Sequence, residues 1–344
     1  MLKLATDFID QTALQIALET GHTEALKVLL DHSSTVTAQL PKDDYLRSPA
    51  TRGHLRMLEM LLEHIPRDQQ LLNGGLLVWD WMASVAVSAG NVETVQFFLD
   101  QGLPFSDPLH DAAHRGRPEV ARLLVEGVKQ LDISARSEKW NDMTAMDLAA
   151  KYGNVNMIEQ LLDYGAEVDC VAEDGMQPIH HAAECGEADA VVCLVQKGAD
   201  VDAKSDYGLT PIHLATCEDN YSALEALIAM GGDVNATDND GHAALYYTTK
   251  AFDLEQPFRT LRYNVAGSRG VDLAWLLLRN GADPEHKDCI GWTAMDAAVR
   301  SGRIGLARTL LMARTIEGIE NVPDTLEALY NCLVDMERDD DWLN

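Results

Sequence analysis

Three glycines placed 33 residues apart constrain this chain more than any other feature. Gly165, Gly198 and Gly231 each close nearly the same phrase, namely LLDYGAEVD, LVQKGADVD and LIAMGGDVN. A fixed period of this length is typical of structural units that stack on one another, because one such unit cannot bury its hydrophobic face alone. The sequence therefore predicts an all-α repeat solenoid, in which each unit leans on its neighbours, and not a set of independent globular domains.

The composition fits a long, continuous core. Hydrophobic residues make up 47% of the 344 residues, whereas aromatic residues make up only 6%. We expect a core of mostly leucine, alanine, valine and methionine.

The charge balance narrows the classes of partner. The chain carries 55 acidic and 27 basic residues, which gives a net charge of −28. So negative a chain repels phosphate groups, so we predict that it binds neither nucleic acid nor anionic membrane surfaces. The same charge attracts basic partners.

The cysteines and the hydropathy pattern indicate the compartment. The six cysteines include no CxxC pair, which favours reduced thiols. The first residues are interrupted by Asp7 and Asp10, which argues against a signal peptide, and no apolar run reaches the length of a membrane span. We expect an intracellular protein of the cytoplasm or nucleus.

The clearest repeat covers residues 206–236. Thr210 and Pro211 are favoured at the start of a helix, a second helix follows a tight turn, and Gly231 supplies the positive φ that ends it. This unit resembles the ankyrin repeat, in which a TPLH phrase and a glycine turn precede an LLxxGAD phrase. The resemblance rests on TPIHLA at 210–215, QPIHHAAECG at 177–186, TAMDLAAKYG at 144–153 and TAMDAAVRSG at 293–302.

The resemblance implies an ankyrin array of about nine helix-turn-helix units with short hairpin loops. We expect divergent repeats over 1–139 and well-matched repeats over 140–315, the latter with an insertion at about 251–269. Residues 316–344 read as a capping helix, predicted at 323–336, followed by an acidic tail. The insertion holds three aromatic and three arginine residues, and it is either a structural loop pinned to the array, a lid, or a second contact site.

The histidine of the TPLH phrase has an expected structural role. In the ankyrin family it forms hydrogen bonds between neighbouring units, and His110, His180 and His213 occupy its place here. Asp147 and Asp296 stand at the same position and keep a polar group there. We expect all five to order the hairpin loops.

Two pairs of residues allow other chemistry. His110 and His114 are four residues apart on a helix and could face one metal ion, but no third ligand is evident. Cys185 and Cys217 fall at matching places in neighbouring units and could approach each other, although two reduced thiols are the simpler interpretation. We assign no metal, no cofactor and no catalytic residue.

Family resemblance places a partner at the hairpin tips and along the exposed side of each first helix, in a concave groove. Large aromatic residues at such positions are costly to expose unless they serve an interface. The predicted partner-binding residues are Trp140, Asn141, Met143, Tyr152, Asp174, Met176, Glu184, Asp206, Tyr207, Leu209, Glu218, Asp240, His242, Trp292 and Arg300.

Three functions remain open. The first is a scaffold or adaptor that binds a protein or peptide with a basic surface in an acidic, aromatic-lined groove. The second is a small-molecule-binding protein or enzyme whose pocket is closed by the insertion, with acid–base candidates such as His114 and Glu184. Against this function, the sequence contains no phosphate loop, no GxSxG elbow and no defined catalytic spacing. The third is an effector that competes by presenting an acidic surface.

Overall fold

A computed structural model describes residues 13, 16–32, 49–64, 78–103, 105–128, 131–172, 174–249 and 269–316 of the chain. Most of the predicted insertion and the whole predicted capping helix lie outside these ranges. The prediction for both therefore stays a prediction.

Nine helix pairs follow one another in the described ranges, which confirms the all-α repeat architecture. Short helical stretches at 16–20 and 49–52 open the first two pairs. The longer elements are α1 (Thr23–His32), α2 (Leu55–His64), α3 (Val78–Ala89), α4 (Val92–Asp100), α5 (Pro108–Arg115), α6 (Pro118–Gly127), a 3₁₀ helix (Glu138–Trp140), α7 (Ala145–Lys151), α8 (Val155–Asp163), α9 (Pro178–Cys185), α10 (Ala188–Gln196), α11 (Pro211–Cys217), α12 (Tyr221–Ala229), α13 (Ala244–Tyr247), α14 (Arg269–Arg279), α15 (Ala294–Arg300) and α16 (Ile304–Ile316).

The chain divides into two compact units. The first comprises Met1–Ala145 and Glu159–Gly165, and the second comprises Met146–Ile158 and Ala166–Asn344. In the first unit α3 packs on α5 and α4 packs on α6. In the second unit the first helices α9, α11, α13 and α15 pack in one row, and the second helices α10, α12, α14 and α16 pack in another.

The two rows differ in the side chains that they bury. First helices bury small residues, such as Ala182 and Ala183 in α9 and Ala215 in α11, all of which are fully inaccessible. Second helices bury larger ones, such as Leu224 and Leu227 in α12. Small residues let the first helices approach closely, while the leucines fill the space between the rows.

The periodic glycines end the second helices, as predicted. Gly165, Gly198, Gly231 and Gly281 have φ values of 91°, 104°, 95° and 89°. A Cβ atom added at any of them would meet nothing within 4 Å. Backbone conformation, and not lack of space, is therefore the reason for glycine at these positions.

The TPLH-type histidines join neighbouring repeats. The backbone N–H of Gln177 donates to Nδ1 of His180 (3.0 Å), and Nε2–H of His180 donates to the carbonyl of Leu209 in the next repeat (3.1 Å). His213 repeats the arrangement, with Nε2–H donating to the carbonyl of His242 (3.1 Å). The predicted structural role of these histidines is confirmed.

His110 of the first unit joins neighbouring repeats in the same way, and Asp296 keeps the hydrogen bonds within its own repeat. Nε2–H of His110 donates to the carbonyl of Met143 at 3.1 Å. Asp296 accepts from the Thr293 backbone N–H at 2.9 Å and from its hydroxyl at 2.8 Å, so the substitution keeps a polar group that caps the helix.

Gly198→Ala tests the conformational argument. The substitution places a Cβ in open space but in the left-handed region, so we expect a loss of about 1 kcal/mol in the free energy of unfolding. Gly198→Asn should lose less, because asparagine tolerates this region better than alanine. Urea unfolding followed by circular dichroism measures both. An asparagine variant as unstable as the alanine variant would contradict the explanation.

His180→Gln tests the buried histidine. Burial lowers the pKa of His180 to about 4, although its hydrogen bond to the Leu209 carbonyl opposes the shift. In the unfolded chain this histidine takes up a proton with a pKa of about 6.5, whereas in the folded chain it stays neutral until about pH 4. The free energy of unfolding is therefore highest above pH 6.5 and decreases as the pH falls towards 4. We expect the loss in free energy of unfolding between pH 7 and pH 5 to be about 2 kcal/mol smaller in His180→Gln than in the unaltered chain. Urea titrations at the two pH values measure it, and an equal loss in both proteins would refute it.

Candidate interaction surface

The hairpin loops of the second unit are joined by backbone hydrogen bonds. The N–H of Asp206 donates to the carbonyl of Asp174 (3.1 Å), and the N–H of Asn239 donates to the carbonyl of Tyr207 (3.1 Å). The next loop continues the series, because the N–H of Cys289 donates to the carbonyl of Asp240 (3.0 Å). We call the loops at 174–176, 205–209, 238–242 and 288–292 the hairpin ladder.

The hairpin ladder carries several of the predicted contact residues. Asp206 and Asp240 are exposed at its tips, and Asp174 is half-buried at the tip before them. In the last loop of the ladder, Ile290 is exposed, with 73% of its surface accessible. Carboxylates along one rigid set of loops produce a strip of negative potential that attracts cationic groups.

Two predicted tyrosines are available to a partner. Tyr207 on the hairpin ladder is 43% exposed, and Tyr152 just after α7 is 44% exposed. A tyrosine ring offers a large apolar face and a hydroxyl, so it can anchor an interface at little cost in side-chain entropy.

The two predicted tryptophans are covered more than the sequence suggested. In the first unit the ring of Trp140 lies 4.7 Å from that of His114, and Nζ of Lys139 lies 5.4 Å from its centroid. In the second unit the guanidinium of Arg300 lies 5.0 Å from the centroid of Trp292. Each ring is half-buried under local side chains. Asn141 beside Trp140 is exposed.

The structure contradicts the assignment of two methionines to the partner surface. Met143 is 7% exposed and Met176 is 4% exposed, so neither can contact a partner. Both occupy the position just before the first residue of a helix-capping phrase, as do Leu209, which is half-buried, and His242. The carbonyl at this position accepts the bond from the preceding repeat's histidine, seen at Met143 and Leu209, which draws the residue into the seam between repeats.

The ends of the first helices form a second charged strip. The charges of Lys151, Glu184 and Glu218 all act on the thiol of Cys185 at the end of α9, so each of these side chains lies near that thiol. Although Cys185 as a whole residue is exposed, neighbouring atoms desolvate its thiol, and this, with the nearby carboxylates and against the effect of Lys151, raises its pKa to about 11. The thiol is therefore protonated at neutral pH and is a poor nucleophile.

A compact polar cluster joins the hairpin loop at 238–242 to the next loop at 288–292. Oδ1 of Asp238 accepts the backbone N–H groups of Asp240 (2.9 Å) and His242 (2.8 Å). Oδ2 of Asp238 accepts from the hydroxyl of Tyr247 and lies 3.2 Å from Nδ1 of His242. On the other side of the ring, Nε2 of His242 lies 3.5 Å from Oδ2 of Asp288 in the next loop.

The electrostatics of this cluster favour the ionised pair. Burial alone would lower the pKa of His242, but the hydrogen bond to Asp238 and the charges of Asp238 and Asp288 raise it above its usual value. Burial alone would raise the pKa of Asp238, but the hydrogen bonds from His242 and Tyr247 hold it below its usual value.

The sequence interpretation named Asp240 and His242 as separate partner contacts and missed Asp238 and Asp288. The structure brings these residues together. A signal was present, because both missed aspartates stand five residues before the start of a capping phrase, at Ala243 and Thr293, whereas Ser205 holds that place in an earlier loop.

The spacing of His110 and His114 leads to no shared site. His110 is engaged with backbone carbonyls and His114 packs against Trp140. Burial lowers the pKa of both. Elsewhere among the described residues, one group of side chains has ligand atoms close enough together to hold a metal ion, within 4.8 Å of one another, and it consists of Asp238, Asp240 and His242.

In the described part of the chain, no helix combines the length and apolar character needed to cross a membrane.

The thiol of Cys185 offers a direct test of its surroundings. A pKa raised by two units from 9.0 reduces the thiolate fraction about 100-fold, and the higher intrinsic nucleophilicity of a more basic thiolate recovers about tenfold of it. We expect alkylation of Cys185 by iodoacetamide at pH 7.5 to be about tenfold slower in the folded chain than in urea. Mass spectrometry of the labelled peptides measures the rate. Glu218→Gln should accelerate the reaction, and equal rates in folded and unfolded chains would contradict the assignment.

The comparisons with known proteins agree with the fold. Residues 83–172 and 149–238 each match a family model described as ankyrin repeats (3 copies). The chain is 28% identical over 174 residues to an ankyrin repeat and KH domain-containing protein, mask-1, of Caenorhabditis elegans, and 29% identical over 136 residues to alpha-latroinsectotoxin-Lt1a of Latrodectus tredecimguttatus. These alignments cover 48% and 38% of this chain but only 6% and 9% of the two relatives. Residues 83–238 of this chain therefore contain ankyrin repeats.

Proposed function

We propose that the second compact unit is a docking surface for a protein segment with a basic surface, and that the chain acts as a scaffold or adaptor. Ankyrin repeats mediate contacts between proteins. The observation that carries the proposal for this chain is the hairpin ladder, where exposed Tyr207 stands among the carboxylates of Asp174, Asp206 and Asp240.

The charge distribution favours a cationic partner. The carboxylates of the hairpin ladder and those of Glu184 and Glu218 belong to a chain with a net charge of −28, so their potential is reinforced and not cancelled by the rest of the molecule. Such a surface accelerates the approach of a basic segment and rejects an acidic one.

The tyrosines supply affinity that charge alone does not. Solvent-exposed charge pairs contribute little to binding energy, whereas a buried aromatic ring near the centre of an interface contributes much. Burying Tyr207 and Tyr152 under a partner would remove from water two rings that are each more than two-fifths exposed. Trp292, half-buried beside Arg300, would add a further aromatic contact.

The thiols fit an intracellular setting. Cys185 and Cys289 are free thiols, and both residues are exposed. Free exposed thiols persist in reducing compartments.

The alternative function, a small-molecule site or enzyme, depends on the insertion at 251–269, nearly all of which lies outside the described residues. The protonated thiol of Cys185 also opposes nucleophilic catalysis at that point.

An array of immobilised random 12-residue peptides tests this function directly. We expect the chain to retain peptides rich in arginine and lysine. Tyr207→Ala should weaken the affinity for these peptides at least about tenfold, which corresponds to about 1.4 kcal/mol of binding free energy. The double variant Asp174→Asn and Asp206→Asn should weaken them further and flatten the salt dependence, because two charge contacts are lost.

A matched control separates this surface from the rest of the chain. Tyr221 at the start of α12 is the same residue type with similar exposure, 38%, but it belongs to the row of second helices. Tyr221→Ala should bind as the unaltered chain does. Retention of peptides without basic residues, or equal losses in Tyr207→Ala and Tyr221→Ala, would overturn the proposal.

A further inference from the structure

We propose that Asp238, Asp240 and His242 bind a divalent zinc ion at the hairpin ladder, with Asp288 as the residue that positions the histidine. The site belongs to the second compact unit alone. The proposal does not rest on the docking of a basic partner, because its ligands are in place without one.

The ligand geometry fits zinc. Two ligand atoms on one tetrahedral zinc ion, each at about 2.0–2.1 Å, are separated by about 3.3 Å. Oδ2 of Asp238 and Nδ1 of His242 lie 3.2 Å apart, so an ion can replace the hydrogen that now joins them with little movement of either side chain. Asp240 offers a carboxylate oxygen within 4.8 Å of these atoms and is exposed, so it can rotate onto the ion.

Asp288 holds the histidine from the side of the ring opposite the proposed ion. Its side chain is only 2% exposed, and its Oδ2 accepts no hydrogen bond. That oxygen points at Nε2 of His242, 3.5 Å away. Oδ1 of Asp288 accepts the backbone N–H groups of Ile290 (2.9 Å) and Trp292 (2.8 Å), so the carboxylate is fixed with Oδ2 facing the imidazole.

A metal ion on Nδ1 of His242 leaves the contact with Asp288 in place. Without an ion, the ionised His242 directs Nδ1–H at Asp238 and Nε2–H at Asp288. When the ion takes the place of the Nδ1 proton, the remaining proton belongs on Nε2 and is donated to Oδ2 of Asp288. This is the carboxylate–histidine–metal arrangement that orients most metal-binding histidines.

The surrounding residues hold the ligands in place before any ion binds. Two backbone N–H groups fix Oδ1 of Asp238, and the hydroxyl of Tyr247 fixes Oδ2. The ring of Tyr246 stacks on that of His242, with centroids 4.0 Å apart and an interplanar angle of 27°. A preorganised set of this kind loses little conformational freedom on binding.

The donor set selects the ion. Two carboxylates neutralise a divalent charge, and the imidazole nitrogen favours zinc over magnesium or calcium, which prefer oxygen ligands only. Three protein ligands leave a fourth position for water or for a donor from elsewhere.

Competition for Zn²⁺ with a chromophoric chelator tests the site on the full chain. We expect Asp240→Asn and His242→Gln to weaken the tightest zinc site at least tenfold, and Asp288→Asn to weaken it 10-fold to 100-fold although Asp288 does not touch the ion. Glu225→Gln removes an exposed carboxylate of α12 and should leave zinc affinity unchanged. Zinc should raise the melting temperature of the unaltered chain and of Glu225→Gln but not of His242→Gln.

Cobalt replaces zinc as a spectroscopic probe. Co²⁺ bound by the unaltered chain should give the visible absorption of a four-coordinate ion, and His242→Gln should abolish it. The proposal fails if the unaltered chain binds no zinc, if His242→Gln or Asp240→Asn binds it as tightly as the unaltered chain, or if Glu225→Gln weakens it equally. In those cases His242 is only a bridge between the two aspartates. Circular dichroism at 25 °C confirms that each variant is folded before its affinity is compared.

Discussion

The hydrogen bond from a buried histidine to the carbonyl of the next hairpin loop is the interaction on which the array depends. A repeat of 33 residues cannot bury its hydrophobic face alone, so its position relative to the next repeat must be set by contacts that recur. His180 and His213 set it by accepting a backbone N–H in their own repeat while donating to a carbonyl in the next. Both rings are fully buried, and burial lowers their pKa to about 4, so they do this work as neutral imidazoles.

The polar cluster lies in the repeat where this buried histidine is replaced by another residue. The next repeat has Tyr246 where the earlier ones have histidine, and its N-cap, Ala243, makes no side-chain capping hydrogen bond. The seam to the following loop is made instead by His242, which lies between Asp238 and Asp288, and by His286, whose Nε2 is 2.9 Å from the carbonyl of Gly241. A local loss of the repeat pattern therefore coincides with two carboxylates and an imidazole in close contact, an arrangement that plain repetition does not produce.

The sequence predicted what periodicity controls. The glycines with positive φ, the helix pairs and the roles of His180 and His213 follow from short, local rules of backbone conformation and capping. It failed where the answer depends on how one loop sits against the next. Met143 and Met176 were placed at the surface because their hairpins are exposed, but their side chains fill the seam. Trp292 was expected to be open, yet Arg300, one helix length later, covers one face.

The same limit explains why the cluster was not foreseen. Asp238 and Asp288 are 50 residues apart, which is 17 more than the period, so the period does not connect them and only their place before a capping phrase marks them as equivalent. Only the stacking of the loops brings both within reach of one imidazole.

The two proposals for this region also act on one another. Asp240 contributes charge to the docking strip and a ligand to the zinc site, so an ion bound there would neutralise the strip at that end and leave Asp174, Asp206 and Tyr207 as its acidic, aromatic centre. A basic partner and a metal ion would then compete for Asp240 through charge alone, without any movement of the repeats.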